Sequence, residues 1–263
     1  CPLDKTTAEN WKEVIPHRTD VLLAGVSEFK DFIVLSERKQ GLVQLRIKSL
    51  TESKEHYIEF PEKAYSAYLD ENPEYNSNTL RFGYTSLTTP SSVYDYNMVS
   101  KEKKLMKQQE VLGGYNSNNY TTERLYATAK DGTKIPISLV YKNGFKKDGT
   151  QPLLLYAYGS YGASMDASFS STRLSLLNRG FAFAIAHIRG GQEMGRYWYE
   201  EGKMMNKKNT FTDFIACGEF LVSEKYTSRD HLYAQGGSAG GLLMGAVINM
   251  APDLWKGVIA QVP

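Results

Sequence analysis

The stretch YAQGGSAGGLLMGAVINM, residues 233–250, decides the fold. Gly236, Ser238 and Gly240 form a G-x-S-x-G pattern between a short apolar run, Leu232 to Ala234, and Gly241 to Ile248, which is apolar all round like a buried helix. Five residues of that kind are a weak signal alone. Between a strand and a helix they are a strong one, because so tight a turn leaves no room for side chains at the flanking positions. The serine then stands at a helix N-terminus, where unpaired backbone N–H groups can stabilise an oxyanion. Ser238 is the candidate nucleophile; the alternative is a glycine-rich turn carrying an idle serine.

Working outward, Gly257 to Val262 reads as a last strand. Upstream, Thr212 to Tyr226 is a helix with Phe214, Ile215, Gly218, Leu221 and Val222 on one face. Phe181 to Ile188 is a buried strand, Ser171 to Asn178 a helix stopping at Gly180, and Pro152 to Tyr158 a strand apolar on both faces. Leu125 to Ala129 and Ile135 to Tyr141 make a hairpin around Asp131-Gly132. Strands alternating with helices predict a largely parallel α/β sheet. Glu110 to Thr122, rich in Gly, Asn and Thr, reads as a linker.

Residues 1–118 have a different texture, short strands with polar turns. Phe32 to Leu35, Leu42 to Ile47 and His56 to Phe60 form one unit; Tyr65 to Leu69, Thr79 to Thr85, Ser92 to Asn97 and Lys104 to Gln109 form a second. The second strand of the later unit begins about 47 residues after Phe32, near the spacing of propeller blades. Two blades cannot close a ring, so the expectation is the tail of a larger propeller, with a small sandwich as the alternative. The division expected is residues 1–118 as the end of a propeller and residues 119–263 as the first part of an α/β domain.

The bulk properties exclude more than they assign. With 263 residues, 23% charged, and a formal net charge of +2, the chain has material for a large core and no basic block to attract nucleic acid or a membrane surface. Cys1 and Cys217 are far apart, without metal-type spacing, which favours a reducing compartment such as the cytoplasm, with the periplasm as the alternative. No cofactor fingerprint occurs: Gly190-Gly191 and Gly236-Gly237 lack the spacing and context of a dinucleotide or phosphate loop, and no Cys/His cluster suggests a metal. The chain opens Cys1-Pro2-Leu3 and reads as part of something longer.

Four segments resemble the prolyl oligopeptidase family of serine peptidases, and within it the oligopeptidase B group. They are LLLYAYGSYGASMDASFS (153–170), AHIRGGQEMGRYWYEEGK (186–203), KKNTFTDF (207–214) and GGSAGGLLMGAVINMAPDLWKGVIAQVP (236–263). WKEVIPHR (11–18) and LRFGYTSLTTP (80–90) extend the likeness over essentially the whole chain. The resemblance implies a seven-bladed propeller capping an α/β-hydrolase domain, and an endopeptidase confined to short peptides, acting after Lys or Arg in oligopeptidase B and after Pro in prolyl oligopeptidase. Ala239, where prolyl oligopeptidases carry Asn, favours the former. Exopeptidase activity and a non-enzymatic propeller-containing binding protein remain as rivals, the latter disfavoured by an elbow that keeps its glycines and serine.

Acyl transfer needs a nucleophile, a base, a group orienting the base, and oxyanion donors. Ser238 is the first, and the Ala239 N–H one donor. The Tyr158 hydroxyl is the second donor by resemblance; the alternative is a buried aromatic. Asp166 by resemblance contacts a basic substrate residue, although Ser168 stands where the family commonly has a second Asp; the alternative is a solvated loop acid. Arg189 and Glu193 read as structural or gating charges. His17, His56, His187 and His231 all precede Ser238, and the only later acid, Asp253, reads as a loop residue. The catalytic Asp and His are therefore expected beyond Pro263, and this segment alone is expected to hydrolyse peptides at trace rates.

Overall fold

The computed structural model describes residues 1–263, which form three sheets. The first is an antiparallel meander of β1 (Val21–Glu28), β2 (Phe32–Lys39), β3 (Leu42–Ser49) and β4 (Glu55–Tyr57). The second repeats that form with β5 (Tyr65–Leu69), β6 (Thr79–Ser86), β7 (Ser92–Asn97) and β8 (Lys103–Gln108). The period-2 alternation of β3 buries Val43, Leu45 and Ile47. These pack in one cluster with Val34 of β2 and with Ala67, Leu80, Phe82 and Tyr84 of the second sheet, so the two meanders stack face to face like neighbouring blades.

Strand β1 was not foreseen. Its alternation breaks at a bulge between Leu23 and Gly25, and Leu23 and Val26 stay exposed, so no clean two-residue period marks it in the sequence. With it the earlier unit also has four strands. The strand expected over residues 56–60 is only the three residues of β4, although Ile58 is buried in the shared cluster.

The third sheet is built from β9 (Tyr120–Thr128), β10 (Lys134–Lys142), β11 (Leu153–Tyr156), α1 (Ser171–Asn178), β12 (Ala182–Ala186), α2 (Arg196–Glu200), α3 (Lys208–Ser223), β13 (Leu232–Gly237), α4 (Ala239–Met250) and β14 (Gly257–Gln261). Its strand order is β14-β13-β11-β12-β10-β9. β12, β11, β13 and β14 are parallel, while the β9–β10 hairpin adds antiparallel strands at one edge. The result is two blade-like meanders followed by a mixed α/β sheet. From β11 the chain passes to β12 on one side and then crosses back to β13 on the other. The crevice beyond the carboxyl ends of β11 and β13 is therefore the topological switch point, where open α/β sheets place their ligands.

Both faces of this sheet are apolar. On one, Leu153, Leu155, Ala184, Leu232 and Ala234 pack against Phe214 and Leu221 of α3 and Leu243, Met244 and Val247 of α4. Phe214, wholly buried, lies 5.3 Å from the Trp255 ring in a stacked pair, and truncating such a side chain typically costs about 3–5 kcal/mol. On the other face, Leu154, Phe183 and Ile185 meet Leu177 of α1 together with Ala64 and Leu87 from the second meander. That cluster welds the meanders to the α/β sheet.

α1 stops at Gly180 as expected. Its left-handed φ of 89° lets Phe181 N–H reach back to the Leu176 carbonyl, which an L side chain there would oppose. α3 begins four residues before the expected Thr212, and Thr210 in its first turn directs its hydroxyl inward to the Arg189 carbonyl. α4, apolar all round in sequence, leaves Leu242, Ile248 and Met250 exposed. No helix is long and apolar enough to cross a membrane.

Candidate active site

The site grows out of the end of β13. Gly236 has no Cβ, and one placed there would overlap the carbonyl oxygen of Gly240 in the first turn of α4. Gly240 in turn lies against β11: a Cβ there would stand 2.9 Å from the Ala157 carbonyl oxygen and 3.7 Å from Cδ2 of the Tyr158 ring. The helix can approach the sheet this closely only where both residues are glycine.

Between them Ser238 takes φ 56°, ψ −120°, a conformation costing a non-glycine residue about 1–3 kcal/mol. Its backbone is held on both sides, the N–H donating to the Gln261 carbonyl at 2.9 Å and the carbonyl accepting from Gly241 N–H at 2.8 Å. The side chain caps nothing and the residue is exposed. Ala239 and Gly240 open α4, where the first-turn N–H groups have no intrahelical acceptor and the helix dipole favours negative charge.

Tyr158 lies two residues beyond the end of β11, half-buried, its ring 6.4 Å from that of the exposed Tyr161. Tyr158 thus lies against Gly240 in the first turn of α4, which Ser238 and Ala239 open, at the switch-point crevice. Behind Tyr158 the chain is pinned again. Lys207, just before α3, donates from Nζ to the Gly159 carbonyl and to Ser160 Oγ, both at 2.6 Å. The sequence reading assigned Lys207 nothing; its only signal was its place in the KKNTFTDF segment.

Asp166 is placed differently. It is not a solvated loop acid: Arg38 of β2 grips both carboxylate oxygens, at 2.6 and 3.0 Å, and Ser66 of β5 donates to one of them at 3.3 Å. The carboxylate keeps some exposure and lines a hollow of about 510 Å³ with Tyr156, Ser168, Arg173 and Gln235. Arg38 lies 128 residues away in sequence, so nothing local announced the pair.

Around this pair lie the partly buried Arg124 and the buried His187, Glu193 and Arg189. Arg124 of β9 donates to Ser138 at 2.7 Å and to the Gln40 carbonyl of the first meander at 3.2 Å. His187 shares a 2.8 Å hydrogen bond with the same Ser138, and burial together with the charges of Arg124 and Arg38 holds its imidazole well below the usual range, hence neutral. Its Nδ1 has no partner and stands 4.0 Å from a Glu193 oxygen. Glu193 accepts from Met165 N–H at 2.9 Å, and burial pushes its carboxyl up to about 7. Arg189 is buried as well, bound through two nitrogens to Asp213 at 2.8 and 2.6 Å and to Asp131 in the β9–β10 turn at 2.7 Å.

No histidine serves Ser238. His187 is occupied as described, His56 bonds Tyr96, and His17 is exposed in the N-terminal segment. His231 bonds Ser228 at the opposite end of β13, roughly 20 Å from the elbow at strand rise.

Two family models match: "Prolyl oligopeptidase, N-terminal beta-propeller domain" over residues 1–109 and "Prolyl oligopeptidase family" over residues 167–263. The chain belongs to the prolyl oligopeptidase family. Among curated family members it is 51% identical to dipeptidyl aminopeptidase BI of Pseudoxanthomonas mexicana, over all of this chain and 36% of that protein. It is 39% identical to protease 2 of Moraxella lacunata, over all of this chain and 38% of that one. Among solved structures, oligopeptidase B from Leishmania major superposes with a TM-score of 0.86 at 42% identity, over 93% of this chain and 35% of that one. The Trypanosoma brucei oligopeptidase B, solved with covalently bound antipain, gives 0.86 at 43%, over 93% and 36%. The chain therefore spans a little over a third of the length of these family members.

Proposed function

We propose that this chain is part of a longer serine endopeptidase of the oligopeptidase B type, which hydrolyses short peptides after Lys or Arg through an acyl-enzyme. Residues 1–118 are its last propeller blades and residues 119–263 the first part of its hydrolase domain. One observation carries the reading: an exposed serine held at φ 56° by glycines that let a helix N-terminus touch the strand beside it.

In this reading a histidine from the remainder of the polypeptide, oriented by an aspartate, takes the proton from Ser238 Oγ as that oxygen attacks the substrate carbonyl carbon. The carbonyl oxygen becomes an oxyanion between the Ala239 N–H and the Tyr158 hydroxyl, donors that need no reorganisation. A neutral phenol supplies a hydrogen bond without losing its own proton. The intermediate collapses to an ester on Ser238 as the protonated amine leaves, and water activated by the same histidine releases the acid.

Preference for a basic residue is supported by likeness to the two oligopeptidases B and by Asp166 facing the hollow beside Gln235, three residues before the nucleophile. A second reading has its own support, since the relative at 51% identity is named a dipeptidyl aminopeptidase. Cleavage after Pro is the weaker alternative within the family.

The test is a kinetic comparison on the full-length protein, using Arg-linked fluorogenic peptides with blocked and with free N-termini, and Pro-linked ones. Blocked Arg peptides are expected to turn over well. Turnover restricted to dipeptides with a free N-terminus would replace the endopeptidase reading with the dipeptidyl one. A fluorophosphonate is expected to label Ser238 of the full-length protein far faster than that of the 263-residue chain, which lacks a base for it.

A further inference from the structure

Tyr158 is useful as an oxyanion donor only if its hydroxyl stays at one distance from Ser238. The peptide on its N-terminal side is anchored by the elbow, since the Ala157 carbonyl packs on Gly240. The peptide on its C-terminal side has a different anchor. Gly159 adopts a left-handed φ of 69°, in a space so close that a Cβ would stand 2.7 Å from Ile188 Cδ1, and its carbonyl oxygen lies against the Cα of Gly190. Onto that carbonyl and onto Ser160 Oγ comes the ammonium of Lys207.

This ammonium is unusual in having no carboxylate. Burial depresses its pKa and no acidic neighbour offsets the effect. Half-burying a charge without a counter-charge is unfavourable, and a neutral donor would satisfy one carbonyl at lower cost. What the ammonium offers is two charge-assisted bonds from one atom to consecutive residues. The ammonium also lies over the ring of Phe211, one turn into α3, with the ring centroid 5.9 Å from Nζ.

We propose that Lys207 is a positioning residue for the reaction: it ties the turn after β11 to the start of α3 and so sets where the Tyr158 hydroxyl stands relative to Ser238. The inference rests on the oxyanion role of Tyr158 given above. Because Lys207 acts through Tyr158, its loss lowers the rate of the chemical step and leaves substrate binding alone.

The experiment is a double-mutant cycle in the full-length protein with Tyr158→Phe and Lys207→Met, reading kcat and KM separately, with thermal melts alongside. Tyr158→Phe is expected to lower kcat about 10²–10³-fold, as loss of one oxyanion donor does. Lys207→Met is expected to lower kcat roughly 10- to 100-fold, the scale of an ångström's misplacement. KM should stay within about twofold in both, and the double variant within about threefold of Tyr158→Phe alone, since one effect runs through the other. If kcat of Lys207→Met matches the parent, or the two losses multiply, the tether is overturned while an impaired Tyr158→Phe leaves the oxyanion reading intact. A fully active Tyr158→Phe overturns both. Should Lys207→Met fail to fold, Ser160→Ala keeps the ammonium and its Gly159 bond; it is expected to show the same kcat-only loss at smaller size, and an unchanged kcat there overturns the tether.

Discussion

The elbow and the charged junction beside it are built on opposite principles. At the elbow no charged side chain takes part: Gly236, Gly240 and the left-handed Ser238 are within five residues, and backbone contact alone fixes the geometry. At the junction the geometry is made by side chains, those of Arg38, Asp166, Arg124, His187 and Glu193, drawn from the first meander and from three parts of the α/β sheet. The difference teaches where each is vulnerable. The elbow fails sterically and all at once, whereas the junction fails by degrees as charges are removed or titrated.

The largest effect expected tests the elbow's chemistry without its shape. Ser238→Ala in the full-length protein should lower kcat by at least about 10⁴-fold while melting at the parental temperature, because the exposed hydroxyl caps nothing. Residual turnover above that level would mean that the nucleophile lies elsewhere. Next comes the shape. Gly236→Ala drives a Cβ into the Gly240 carbonyl, backbone against backbone, so either α4 or β13 has to move. Overpacking of this kind costs about 1–3 kcal/mol or more, and the expected readout is a lowered melting temperature together with fluorophosphonate labelling slowed at least tenfold. A variant that melts lower yet labels normally would separate the elbow's fold from its chemistry and weaken the link argued between them.

These contrasts also explain what was legible in the sequence. The elbow could be read because its causes are local: glycines at fixed spacing between an apolar strand and an apolar helix. The α/β order could be read because β11 and β12 are apolar on both faces and α1 stops at a glycine. β1 could not, since a bulge and two exposed apolar residues erase its period. The Arg38 grip on Asp166 was invisible for a deeper reason. A bidentate pair across 128 residues leaves no pattern in either neighbourhood, and the local string around Asp166 equally fits a ligand contact or a surface acid. Lys207 fell in the same blind spot, a lysine among lysines until the turn at Gly159 is folded against it.

Arg38 and Asp166 sharpen the comparison at the next level of effect. The pair is mostly shielded from solvent and bidentate, so Arg38→Ala and Asp166→Ala should each destabilise the full-length protein by about 1–3 kcal/mol, with a double variant far short of their sum. For a mostly shielded guanidinium with a single carboxylate partner, removing that partner is the costlier of the two. Substrate kinetics then decide whether the pair is only a fastener. If Asp166 also receives a basic substrate side chain, Arg38 competes with it. Arg38→Ala should then lower KM for dibasic peptides relative to monobasic ones, while Asp166→Ala raises it. Equal changes on both substrates would leave the pair as a link between the first meander and the hydrolase sheet, with no part in selectivity.

The smallest effect expected is a pH dependence. Glu193 faces Met165 N–H, Asp166, Arg38 and His187, and its carboxyl is raised from the usual 4.5 to about 7 by burial. Between those values the folded protein keeps a proton that the unfolded chain has given up. Its contribution to stability is therefore fully present below about pH 4.5 and is lost as pH rises through about 7. His187 runs the other way: its folded pKa is lowered, so the unfolded chain binds the extra proton and stability falls as pH drops below the usual imidazole range. Glu193→Gln isolates the first of these, keeping an acceptor for Met165 N–H while removing the titration. The melting temperature of Glu193→Gln relative to the parent should rise from pH 5 to pH 8, because only the parent has to bury a carboxylate at the higher pH. A gap that stays constant over that range would mean the carboxyl is already ionised at pH 5. Arg38 would then have to neutralise Asp166 and Glu193 together, making the junction a three-charge network in which removing Arg38 is the more damaging change.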